Sequence, residues 1–122
     1  MIKFEFIIPT KNNNHQVARE EFENDPLVLF HTTPMKNFGS IVEQGFRFGE
    51  IVKSVSYAYK STSCLMHRGE FVAEDYAVFI VKFETLDQDF ITKNILDIHV
   101  HNEDLQPEII GYSIIPKEFV YR

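Results

Sequence analysis

Apolar and polar positions along the chain follow two periods, two and roughly three and a half. Ile2, Phe4, Phe6 and Ile8 alternate with Lys3 and Glu5, which predicts a half-buried strand closed by Pro9. Residues 27–30 are continuously apolar after Asp25-Pro26, as expected of a buried strand. Thr33 then fits a helix N-cap and Pro34 the first helical position, where a missing N–H costs nothing. Phe38, Ile41 and Val42 recur at i, i+3 and i+4, so a helix is expected over 34–44 and Gly45 suits its left-handed end. His31 is thereby placed at the mouth of a strand-to-helix turn.

The rest of the chain extends this alternation of strands with a few helices. Residues 15–24 present Val17, Ala18 and Phe22 on one side and suggest a helix. Residues 45–49 form a glycine-bracketed loop holding Phe46 and Phe48, and 51–59 alternate as a strand. Ser61 or Thr62 can cap a short helix through Leu65 and Met66 that stops at Gly69. Residues 76–84 are apolar on both faces and give the best candidate for a central strand; 91–101 and 108–121 supply further strands, the last broken near Pro116. Several short strands separated by two or three helices predict an α+β domain with a largely antiparallel sheet. With no repeat and no linker, residues 1–122 read as one domain.

Composition narrows the function classes. The chain has 122 residues, 44% of them hydrophobic and 12 of them Phe, enough for a real core. Twelve basic against eighteen acidic residues give a net charge of −6, which disfavours nonspecific nucleic-acid binding while allowing a locally positive cleft. No apolar stretch reaches the length of a membrane span, and the first residues lack the pattern of a signal peptide. Cys64, the single cysteine, excludes an internal disulfide and a multi-cysteine zinc site and reads as a small semi-buried residue. A cytoplasmic location is expected.

Three segments hold the candidate chemistry. The first is LFHTTPMKNFGSIVEQGF, residues 29–46; the second SYAYKSTSCLMH, residues 56–67; the third EIIGYSIIPKEFVY, residues 108–121. Their order resembles the ADP-ribosyltransferase superfamily, in its His–Tyr–Glu branch of diphtheria-type toxins and poly(ADP-ribose) polymerases. There a strand ends in His, a helix leads to a Gly-Phe or Gly-Leu pair, a second strand brings a Tyr and a Lys-Ser-like helix start, and a late Glu precedes a final strand. The likeness spans about residues 27–121, with Thr32 in place of the usual glycine after the histidine. Either Tyr57 or Tyr59 matches the tyrosine.

The resemblance implies an α+β fold of split, mostly antiparallel sheets with a cleft for NAD, which would be consumed as substrate. Glu108, His31 and Tyr57 would be catalytic, and His31, Thr32, Thr33, Tyr57, Tyr59 and Ser61 would bind NAD. Cleavage of the nicotinamide–ribose bond builds positive charge on the ribose. Glu108 would stabilise that charge, a tyrosine ring would stack on nicotinamide, and His31 would donate a hydrogen bond to a ribose hydroxyl. No metal is implied. ADP-ribose would pass to an unidentified protein or nucleic-acid acceptor or to water, and a protein partner would supply targeting. RNA 2′-phosphotransferases share the superfamily but need several phosphate-binding arginines, which are not evident here.

Taken singly, His31 reads as a hydrogen-bonded turn histidine, the two tyrosines as half-buried strand aromatics, and Glu108 as a solvated strand start. Two alternatives therefore stand beside the transferase. One is a catalytically silent NAD-like ligand-binding or protein-interaction module, which Thr32 favours. The other is a metal-dependent hydrolase using Asp97, His99 and His101, which period-2 spacing puts on one strand face. His67 and Arg68 could reach a diphosphate from their helix, but surface placement is the expectation.

Overall fold

A computed structural model describes residues 1–69 and 72–120. Seven strands, Ile2–Lys3 (β1), Val28–Pro34 (β2), Val55–Ala58 (β3), Tyr76–Lys82 (β4), Ile91–Lys93 (β5), Asp97–Val100 (β6) and Glu108–Ile115 (β7), form one sheet in the order β1-β7-β4-β2-β3-β6-β5. Among the described residues only β1 and β7 run parallel, so the sheet is mixed and the domain α+β. Among the described residues three short α-helices, Glu20–Glu23 (α1), Phe38–Gln44 (α2) and Thr62–Arg68 (α3), accompany it. Among the described residues no helix is long and apolar enough to cross a membrane.

The continuous apolar runs occupy the middle because they bury both faces. From β2 and β4, Leu29, Ala77, Phe79 and Val81 enter one core with Phe46, Tyr57 and Ile98. Val28, Phe30, Val78 and Ile80 enter the other, with Val17 and with Cys64 and Leu65 of α3. Phe30, Phe46, Tyr57 and Phe79 are fully buried, and each contributes roughly 1.5–3 kcal/mol of transfer free energy. Gly111 on β7 lets β1 approach: a Cβ there would lie 2.4 Å from the Ile2 carbonyl oxygen and 2.5 Å from the Phe4 ring.

Two elements match their sequence signals closely. β4 is central, and α3 stops at Gly69, which has φ +80°. Others differ, each for a physical reason. The expected helix 34–44 starts later, because β4 pairs with β2 through Pro34↔Tyr76 and keeps those residues extended. Thr33 is accordingly no N-cap; its hydroxyl accepts from Asn37 Nδ2 at 2.9 Å, and a 3-10 turn over Met35–Asn37 leads into α2. The helix expected over 15–24 shrinks to α1, since Asn14 and His15 take φ 57° and 60° and the Val17 N–H bonds the Ser61 hydroxyl.

The first strand is likewise shorter than its alternation suggests, with Ile2 58% and Ile8 66% exposed. Ile51 and Val52 also stay exposed, which confines the expected strand 51–59 to β3. Arg68 is buried rather than at the surface: its guanidinium donates to the carbonyls of Gly69, Pro116, Lys117 and Phe119. The expected pair of split sheets is instead one sheet with a weak seam. β2 pairs with β4 at seven positions but with β3 only at Phe30↔Ala58. Tyr121, at the end of the expected last strand, lies outside the described residues.

Candidate functional site

The site is made by that seam. Beyond Phe30↔Ala58 the two strands diverge, and the ladder bonds they would share are replaced by a side chain. His31 Nδ1 lies 2.8 Å from the Ser56 carbonyl oxygen. A carbonyl only accepts, so Nδ1 carries the proton and Nε2 of the neutral ring is an acceptor. Burial pushes the His31 pKa below its ordinary value; the Ser56 bond opposes this and His67 adds to it. Phe46 and Tyr57 brace the imidazole, with ring centroids 5.0 and 5.6 Å away.

A cavity of about 340 Å³ opens at the seam, near the low end of the ligand-pocket range. Phe30, His31 and Thr32 of β2 and Ser56 and Ala58 of β3 form its floor. Ser63, Cys64, Met66 and His67 of α3 line one wall, and Leu96 and Asp97 the other. Asp97 opens β6 opposite Ala58. Its Oδ2 accepts from the Ser56 hydroxyl at 3.1 Å and lies 3.3 Å from His99 Nε2, and its Oδ1 accepts from Asn94 Nδ2 at 3.0 Å. Hydrogen bonds thus hold the carboxylate on both oxygens. Burial pushes the Cys64 thiol up to about 12, with the Thr32 hydrogen bond lowering it and Glu23 raising it.

The residues expected from sequence are distributed unevenly around this cavity. His31 and Thr32 line it. Thr33 faces a smaller cavity of about 260 Å³ across His31, which Asn37, Gln44, Phe46 and Arg47 also line. Tyr57 sits beside His31 but is 1% exposed, with its ring edge-on to Phe46 and Phe83. Burial drives its phenol pKa upward. Tyr59 borders a separate pocket with Glu23 and Lys60. Ser61 is fully buried, and both its hydroxyl and its N–H donate to Glu23 Oε1.

Glu108 is not brought to His31. It stands opposite Lys82 on β4, which stands opposite Val28, whereas His31 is opposite Phe79. Two strand spacings and three residues separate the backbones by roughly 14 Å. Its pocket is a different one, shared with Leu27, Lys82 and Asp104. The carboxylate at the His31 cavity belongs to Asp97, which sequence reasoning had grouped with His99 and His101 as metal ligands. His101 Nε2 pairs with the Thr92 hydroxyl at 3.0 Å and its ring stacks on His99. Among the described residues no three His, Cys, Asp or Glu side chains group as a metal site. Comparison with protein-family models, curated proteins and solved structures returns no match.

Proposed function

We propose that this domain binds NAD and transfers its ADP-ribose, with the chemistry at His31, Ser56 and Asp97. One observation carries the reading: a fixed carboxylate, a hydroxyl and a neutral imidazole acceptor meet in one cavity at the seam. This donor set fits a ribosyl ligand, whose hydroxyls need acceptors. NAD supplies a glycosidic bond whose cleavage develops positive charge on the ribose. Asp97 faces that charge in the part assigned to Glu108 from sequence, held in place by Ser56 and Asn94 so that little reorganisation is needed. His31 Nε2 accepts from a ribose hydroxyl, the reverse of the polarity expected from sequence. Thr32 lines the same floor.

Calorimetry with NAD, followed by a nicotinamide-release assay, tests this reading. Asp97→Asn should lower turnover by roughly a hundredfold and NAD affinity by only about tenfold. Glu108→Gln should behave as wild type. Equal release by wild type and Asp97→Asn would refute the assignment. One observation favours the silent module instead: Tyr57 is buried and offers no ring to stack on a ligand. NAD binding without any nicotinamide release would select that module.

A further inference from the structure

The charge and shape of the cavity narrow its ligand further, given the reading above. Among the described residues that line it there is no lysine and no arginine. Of the cations near its walls in sequence, Lys53 is exposed and three others are engaged elsewhere. Lys60 Nζ donates to the Glu23 carbonyl, Lys93 pairs with Asp87 at 2.6 Å, and the buried Arg68 serves four carbonyls. A diphosphate entering the cavity would lose water and meet the Asp97 carboxylate with no lysine or arginine among the lining residues. A positively charged ring would instead find an opposite charge.

The rim points the same way. Met66 and Leu96 both line the cavity, yet they are 73% and 60% exposed. Two large apolar side chains held out at a cavity mouth, one a polarisable thioether, are suited to the faces of a flat ring. The stacking role that Tyr57 cannot fill from the core is open to them.

We infer that the cavity recognises only the N-riboside end of its ligand, a ribose bearing a cationic base, with the ring lying between Met66 and Leu96 and the ribose meeting His31, Ser56 and Asp97. The diphosphate and adenosine of a dinucleotide then stay in solvent and add little affinity. Nicotinamide riboside is the direct probe, titrated calorimetrically beside NAD, ADP-ribose and ADP.

Nicotinamide riboside should bind within about threefold of NAD, and ADP-ribose and ADP at least roughly tenfold more weakly. Asp97→Asn and the double variant Met66→Ser with Leu96→Ser should each weaken nicotinamide riboside by roughly tenfold or more, with unchanged far-ultraviolet dichroism. ADP-ribose or ADP binding as tightly as NAD would overturn the inference and leave the NAD reading standing. So would full affinity in the rim variant. If neither NAD nor nicotinamide riboside binds wild type, the NAD reading itself falls and the inference with it.

Discussion

Removing the side chain of Gln106 should loosen the wall behind His31 by a calculable amount. Gln106 acts as one rung of a ladder for the loop after α2: its Oε1 accepts from the Phe46 N–H and its Nε2 donates to the Phe46 carbonyl, both at 2.8 Å. Both bonds are partly buried, and each contributes about 1 kcal/mol net, so Gln106→Ala should cost about 2 kcal/mol. Gly45 depends on the same side chain. It has φ +81° and ψ −175°, a region nearly closed to other residues, at a cost of roughly 1–3 kcal/mol for alanine.

An added Cβ at Gly45 would also lie 2.6 Å from Gln106 Oε1 and displace it. Gly45→Ala therefore breaks the latch as well as straining the backbone, for roughly 4 kcal/mol. In a Gln106→Ala background only the backbone strain is left, roughly 2 kcal/mol. A double-mutant cycle by urea denaturation should return a coupling of about 2 kcal/mol. For a chain of 122 residues the Gln106→Ala melting temperature should fall by roughly 6–10 °C. Equal costs of Gly45→Ala in both backgrounds, within about 0.5 kcal/mol, would refute the latch.

Three further outcomes are expected. The folded state holds the His31 pKa below its unfolded value of 6.5, so the unfolded chain binds the proton first; stability from the neutral ring is complete above 6.5 and falls as pH drops below it, and His31→Leu should flatten that part of a urea-midpoint profile. Cys64, with its thiol at about 12 and 2% exposed, should resist iodoacetamide in native buffer and label fully in denaturant. Arg68→Met, which strips four carbonyls of their donor, should cost roughly 3 kcal/mol and hasten proteolysis after Pro116; an unchanged urea midpoint would contradict the clamp.

Signals that are local survived into the fold, and those decided by distant pairing did not. The apolar runs at 27–30 and 76–84 became β2 and β4 because burial on both faces is written in consecutive residues. Gly45 and Gly69 ended their helices because a positive φ is a property of one position. Thr33-Pro34 carries a good helix start, yet the ladder with Ala77 and Tyr76 outweighed it, and no local pattern announces that partner. The site behaved alike. His31 and Tyr57 lie side by side, with ring centroids 5.6 Å apart, as the resemblance implied for two residues meeting one ligand. Asp97 was legible as a strand residue, but its arrival beside Ser56 depends on β6 pairing with β3. Glu108 lies away from His31, a placement the sequence does not announce because a carboxylate opening an apolar strand looks the same at either end of a sheet.

The one-pair seam between β2 and β3 has a topological consequence. On one side of it lie β1, β7, β4 and β2; on the other, β3, β6 and β5. The chain does not finish one group before starting the other. It passes over from β2 to β3, returns to β4, passes again to β5 and β6, and returns to β7, four crossings in all. The two groups are therefore laced together like the sides of a boot. No single cut in the backbone separates one side from the other.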